Sequence, residues 1–210
     1  MVTLKMAIIF LMEQIRTPFS LIWTIMSPTV LFFFLHFNEI ELHYGDTAWL
    51  GKQISWFVGY ISFSVVLFNY CLYLVGRRES GFIATFVHNM DGRLLFIRSQ
   101  LIASLIMSIL YVFFFILVVL TGFQASPDYQ IVMIILKSIY INAFMMVSLT
   151  FMASFRVTFQ TASTIYSVLI TVCMVSGIVS LKYNEGIVYW INQVNPIAIY
   201  STILQSDQEL

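Results

Sequence analysis

Five apolar stretches, each long enough to cross the hydrocarbon layer of a membrane, most constrain how this chain can fold. They cover residues 19–37, 54–75, 94–121, 131–153 and 162–181, and a membrane-spanning helix needs about 20 apolar residues. Only 10% of the 210 residues are charged, whereas soluble domains carry about 25% charged residues. We therefore predict an all-α polytopic membrane protein, a single transmembrane domain over residues 1–210 with five to six spans.

The remaining composition argues against several other classes of protein. A formal net charge of zero leaves no excess of cations for binding phosphate, so no nucleic-acid partner is expected. Cys71 and Cys173 fall inside apolar stretches and are expected to be free thiols. The spacing of His36, His43 and His88 does not fit a metal site. Because no nucleophile and base can be paired, we expect no catalytic residues and no enzyme activity.

The distribution of lysine and arginine predicts the orientation of the chain, because cytoplasmic loops are rich in these residues. With the N-terminus inside, the cytoplasmic side holds Lys5, Arg16, Arg77, Arg78, Arg93, Arg98 and Arg156. The outer side then holds only Lys52, Lys137 and Lys182. We expect a multi-pass protein of the inner or cytoplasmic cell membrane, with a cytoplasmic N-terminus and the lipid bilayer as its surroundings.

Both ends of the chain carry segments that differ from the five spans. Residues 3–16 have polar residues along one face and apolar residues around the rest, which predicts a helix lying on the inner membrane surface; an extension of the first span is the alternative. Residues 186–204 are long enough to cross, but Asn192, Gln193, Asn195 and Pro196 interrupt them, and such residues are costly in lipid. We predict an outer re-entrant segment over residues 182–204, with a short sixth span as the alternative.

Two spans carry stripes of small and polar residues at helical spacing, which indicates faces turned away from lipid. The second span carries Ser55, Gly59, Ser62, Asn69 and Tyr73. The fifth carries Thr164, Ser167, Thr171 and Met174. Either the stripes serve helix packing, or they face each other across a substrate path.

The loop between the second and third spans, residues 77–93, has an amphipathic pattern of its own. Phe82, Ile83, Phe86 and Val87 share one side of a predicted short helix, and Asp91 is a candidate N-cap for the third span. Arginines flank this helix on both sides. It can rest on lipid headgroups, or it can dock on a partner.

The chain shows no sign of an energy source of its own, either a nucleotide site or an ion-coupling site. Residues 45–53, GDTAWLGKQ, come nearest to a phosphate-binding loop, but the glycine spacing is too long and Gln53 stands where Ser or Thr would hold magnesium. Proton- or sodium-coupled carriers use ionisable residues within the membrane, and the spans have almost none. This favours a permease that is driven from outside the membrane.

Several segments, taken in order, resemble a known family. The first helix ends in Glu13, Arg16 and Pro18, the second span closes in the run from Arg78 to Gly81 (RESG), and a basic turn precedes the third span. Ser176-Gly177-Ile178 follows late in the fifth span, and Asn195-Pro196 lies near the end. Over nearly the whole chain, this order resembles the permease subunits of type-2 ABC exporters.

The resemblance implies a dimer, either a homodimer or a pair with a related permease, that docks on a separate ABC ATP-binding subunit. ATP and magnesium would bind in that partner chain, and no cofactor is expected here. The second and fifth spans would line the substrate path. Glu79 would organise the contact between the loop and the N-terminal helix by pairing with a nearby arginine. The coupling residues would be Arg77, Arg78, Glu79, Ser80, Gly81, Phe82, Ile83, Phe86, Val87 and Asp91.

The expected function is export of an amphipathic drug, antibiotic or peptide, since the RESG run is more similar to drug and peptide exporters than to polysaccharide exporters. A permease for polysaccharide or lipid-linked glycan remains an alternative, as does a non-transporting immunity or sensor protein of the same fold. Family members continue past the Asn-Pro pair into a further span, whereas only residues 197–210 follow here. This difference leaves the number of spans open between five and six.

Overall fold

Helices make up most of the chain, which is known from a computed structural model that describes residues 2–16, 18–83, 90–182 and 185–206. In chain order the helices are α1 (Val2–Ile15), α2 (Pro18–Leu35), α3 (Thr47–Glu79), α4 (Met90–Gly122), α5 (Tyr129–Leu149), α6 (Phe159–Lys182), α7 (Gly186–Gln193) and α8 (Pro196–Gln205). Within the described residues there is no β-strand. The prediction of an all-α protein is therefore confirmed for this part of the chain.

Four of these helices are long and apolar enough to cross a membrane: α3, α4, α5 and α6. They correspond to the second to fifth predicted spans, and they are consistent with a helical membrane protein. The first predicted span corresponds to α2, an 18-residue helix with Pro28 in its interior. Its described apolar part, Thr24–Leu35, is shorter than the other four.

The helix α3 lies at the centre of the bundle. In its most apolar stretch of 18 residues, 72% of α3 is buried inside the protein, whereas 28% of the corresponding stretch is buried in α5 and in α6. Its middle, Val65–Leu72, is π-helical, and such wider turns disturb the regular backbone hydrogen-bond ladder. At this point the Asn69 carbonyl accepts hydrogen bonds from Gln100 Nε2 (2.8 Å) and Ser104 Oγ (3.1 Å) of α4.

The start of α3 is held by a local cap and by the end of α4. The Asp46 carboxylate accepts a hydrogen bond from the Trp49 N–H at 3.0 Å, and this bond lowers the pKa of the Asp46 carboxyl. The His43 ring stacks on Trp49 with 4.2 Å between ring centroids. The Gly45 N–H donates to the Phe123 carbonyl at 3.1 Å. The cap explains why α3 begins well before residue 54, where the second span was predicted to start.

The two last helices form a hairpin that lies against α3, α5 and α6. At its tip, the Asn195 side chain accepts from the Ile197 N–H (3.0 Å) and donates to the Cys173 carbonyl (2.7 Å) in the middle of α6. At its end, Gln205 Nε2 donates to the Lys52 carbonyl near the start of α3 (3.1 Å). Since α7 follows the end of α6, the hairpin enters the bundle and returns at the same end.

A buried polar network holds α8 in place. The hydroxyl of Tyr200 lies within hydrogen-bond distance of Asn142 Oδ1 and of the Ser138 carbonyl in α5. Asn142 Nδ2 in turn donates to Ser108 Oγ of α4 at 2.5 Å. Glycine at position 59 permits the close packing of α8 on α3, because a Cβ there would lie 3.1 Å from the Ile197 carbonyl oxygen.

Replacing Tyr200 with phenylalanine should therefore lower the free energy of unfolding by about 1 kcal/mol, since the polar partners in α5 stay buried without their hydroxyl. The change can be measured by titrating the protein with SDS in mixed micelles and following near-UV circular dichroism. The matched control is Tyr140→Phe, because Tyr140 lies on the same helix as Asn142 but is 77% exposed. Equal unfolding midpoints for the two variants would contradict the role of the network.

Candidate functional site

A cavity of about 710 Å³ opens between α1, α2, α3, α4 and α6. It lies toward the end of the bundle where α1 and α3 finish and α6 begins, which we call the arginine end because Arg16, Arg77, Arg78 and Arg156 lie there. Its walls combine aromatic rings with amide, hydroxyl and carboxylate groups. The lining residues are Glu13, Gln14, Thr24, Tyr60, Ser64, Phe68, Asn69, Leu72, Tyr73, Tyr111, Phe159, Ser167, Ile170 and Thr171.

Four of the residues predicted for a substrate path lie on this cavity. Asn69 and Tyr73 reach it from α3, and Ser167 and Thr171 reach it from α6. The parts of the two polar stripes nearest the arginine end thus share one space.

The other predicted path residues lie elsewhere. Ser55, Gly59 and Ser62 are buried in the half of α3 that packs on α8, and the Ser55 hydroxyl donates to the Gly51 carbonyl of its own helix at 2.7 Å. The half of the stripe nearer the start of α3 therefore serves helix packing. On α6, Thr164 is exposed and Met174 is partly buried, and neither belongs to the cavity wall.

The sequence reasoning missed the contribution of α1, whose last turn supplies Glu13 and Gln14 to the cavity wall. The helix packs along α4, where Phe10 contacts the Phe96 ring at a centroid distance of 5.4 Å. Asn69 Nδ2 donates to Gln14 Oε1 at 3.4 Å. A carboxylate and an amide side by side near the end of a mostly apolar helix were the sequence signal that could have indicated this face.

An ion pair joins α1 to the last turn of α3. The Arg77 guanidinium contacts both carboxylate oxygens of Glu13, and the Tyr73 hydroxyl donates to Glu13 Oε2 at 2.8 Å. The guanidinium also lies over two aromatic rings, 4.9 Å from the centroid of Tyr73 and 5.1 Å from that of Phe82. Arg77 is therefore the residue that holds the N-terminal helix to α3.

Glu79 was predicted to organise the contact with the N-terminal helix, but its described contact is with the start of α6. Its carboxylate accepts a hydrogen bond from the Phe159 N–H, at the start of α6. The first N–H groups of a helix have no partner within the helix, and the helix dipole favours an anion at that end. Arg78 assists by donating to the carbonyls of Phe155 and Val157, just before α6.

The remaining loop residues are described only in part. Ser80 Oγ donates to the Arg77 carbonyl at 3.1 Å, Gly81 turns the chain with a φ of 73°, and the side chains of Phe82 and Ile83 are partly buried. Phe86 and Val87 lie outside the described residues. Asp91 was predicted to be the N-cap of the third span. It lies instead within the first turn of α4, which begins at Met90.

The packing of α3 on α6 is close at this end. A Cβ at Gly76 would lie 3.1 Å from the Phe159 ring, so the two helices approach each other directly beside the capping contact of Glu79. The last turn of α3 thus contacts both α1 and α6, and both of these helices supply residues to the cavity wall.

No protein-family model matches this chain, and no solved structure matches it.

The assignment of Ser62 to helix packing and of Asn69 to the cavity can be tested with single cysteines at these two positions, which lie about two helical turns apart. The background is a variant in which Cys71 and Cys173 are replaced by alanine. Asn69→Cys should react readily with N-ethylmaleimide, because its side chain borders the cavity. Ser62→Cys should be protected by α8. Both thiols should react equally in SDS, which controls for reagent access, and equal protection of both in the folded protein would contradict the assignment.

Proposed function

We propose that this chain is the membrane-spanning subunit of an ATP-driven exporter of the type-2 ABC class, which moves an amphipathic drug, antibiotic or peptide out of the cell. A separate ATP-binding subunit supplies the energy. The cavity at the arginine end receives the substrate, and the loop after α3 receives the force.

The observation that carries this proposal is the set of contacts made by the last turn of α3. Arg77 pairs with Glu13 of α1, while Glu79 and Arg78 bind the start of α6 and the segment before it. A partner that pulls on the loop after Glu79 therefore pulls on both helices at once. Because these helices border one cavity, the pull changes the width of that cavity.

The cavity itself supports an amphipathic substrate. Its wall offers aromatic and aliphatic surface for an apolar body together with polar groups that can orient the ligand, two features of small-molecule sites. The polar groups come from residues on several helices, including Asn69 of α3 and Thr171 of α6. A relative movement of these helices would therefore alter substrate affinity directly.

Within this proposal, the arginine end faces the cytoplasm, in agreement with the distribution of lysine and arginine. The α7–α8 hairpin is then a re-entrant segment that dips into the membrane from the outer side. The buried side chains of Asn195 and Tyr200 in this hairpin have hydrogen-bond partners inside the bundle, as polar groups at membrane depth require. The second protomer packs against α5 and α6, whose faces are the most exposed among the four long helices.

The decisive experiment reconstitutes the chain with any ABC ATP-binding subunit that is encoded in a neighbouring reading frame. The two proteins should copurify, and the chain should stimulate ATP hydrolysis. Glu79→Ala should reduce this stimulation by about fivefold, because the start of α6 loses its capping carboxylate, while the amount of membrane-inserted protein stays the same.

The matched control is Glu185→Ala, which also removes an exposed carboxylate, but from the opposite end of the bundle. It should leave ATP hydrolysis unchanged. Absence of both copurification and stimulation with the wild-type chain would overturn the proposal and favour a non-transporting membrane protein of the same fold.

A further inference from the structure

We propose that the cavity at the arginine end binds organic cations, and that the cationic group of the ligand takes the place of Arg77 on the Glu13 carboxylate. The assignment of such a cation as cargo rests on the proposed function. Binding of the cation to the cavity does not, because it needs only this chain.

The first argument is the charge of the wall. Among the described residues that line the cavity, Glu13 is the only charged one, and about half of its side chain is exposed. A ligand anion in the cavity would face this carboxylate, whereas Arg77, which is paired with it, is not among the lining residues. A ligand ammonium or guanidinium group can instead form a charge-assisted hydrogen bond with it, the stronger kind of hydrogen bond.

The second argument is the direction of the hydroxyl hydrogens. The hydroxyls of Ser64, Ser167 and Thr171 each donate to a carbonyl of their own helix, all at 2.8 Å. Each hydroxyl has a single hydrogen, so these three groups can only accept further hydrogen bonds. The wall is therefore rich in acceptors, which suits a ligand whose polar part carries N–H donors.

The third argument is the ring content of the wall, to which five aromatic side chains contribute. A cation within about 6 Å of an aromatic ring face is attracted by the quadrupole of the ring. The same rings offer apolar surface to the body of the ligand. The five are Tyr60, Phe68, Tyr73, Tyr111 and Phe159.

The exchange at Glu13 is possible because Arg77 has other partners. Its guanidinium donates to the Tyr73 hydroxyl at 2.8 Å and lies over the ring of Phe82, which belongs to the segment after α3. A guanidinium released from Glu13 therefore keeps its contacts with Tyr73 and Phe82. A ligand bound in the cavity would shift Arg77 toward Phe82. Ligand binding would therefore change the contacts of the loop that a partner would bind.

The test uses two ions of the same shape and opposite charge, tetraphenylphosphonium and tetraphenylborate, with the chain alone in nanodiscs. Equilibrium dialysis should show saturable binding of tetraphenylphosphonium above the partition measured with empty nanodiscs. Tetraphenylborate should show partition only. Absence of saturable tetraphenylphosphonium binding, or equal saturable binding of both ions, would overturn the proposal.

The variants distinguish the effect of the Glu13 carboxylate on ligand binding from its effect on the stability of the fold. Glu13→Gln should weaken tetraphenylphosphonium binding by about tenfold, because it removes the negative charge that attracts this cation. Glu41→Gln, which neutralises an exposed acid at the opposite end, should not weaken the binding. The exchange Glu13→Arg with Arg77→Glu keeps the ion pair between α1 and α3, so it should retain the wild-type unfolding temperature and still lose the binding. Wild-type affinity in both Glu13 variants would contradict the assigned role.

The outcomes also separate this inference from the proposed function. Saturable cation binding together with no association with an ATP-binding subunit would support the inference and overturn the exporter. Stimulated ATP hydrolysis without any cation binding would support the exporter and overturn the inference.

Discussion

A polar backbone group inside an apolar bundle must find a partner within the protein, and the middle of α3 shows how this chain meets that requirement. The π-helical stretch Val65–Leu72 interrupts the regular ladder, and the Asn69 carbonyl takes its hydrogen bonds from Gln100 and Ser104 of α4. The Gln100 amide N–H and the Ser104 hydroxyl, which would be costly against lipid, thereby find an acceptor in α3. The contact joins the two most buried of the four long helices beside the cavity.

The same stretch changes the direction in which α3 presents its polar residues. A π-helical turn contains more residues than an α-helical turn, so residues beyond it are rotated relative to those before it. Gly59 lies before the stretch and packs on α8, whereas Tyr73 lies after it and borders the cavity. Before this stretch α3 thus packs on the C-terminal hairpin through one face while Tyr60 and Ser64 border the cavity, and after it Tyr73 continues the cavity wall.

Hydropathy and length predicted the long helices correctly, because both properties are local and survive any tertiary arrangement. The stripe on α3 was only half correct as a cavity wall, since its assignment assumed a constant helical period and nothing in VVLFNYCL marks a π-helix. The partner of Glu13 was missed for a similar reason. Arg77 and Arg78 are equivalent in the sequence, and only the rotation of about 100° between successive helical residues decides which of them meets α1.

That rotation has a mechanical consequence at the end of α3. Adjacent residues on one helical turn point to different neighbours, so Arg77 engages Glu13 of α1 while Glu79 engages the start of α6. With Gly76 in contact distance of Phe159, the turn has little freedom to slide between them. Since Glu13 and Phe159 both border the cavity, a displacement of this single turn is transmitted to two of its walls, and a change in either wall is transmitted back to the loop that follows Glu79.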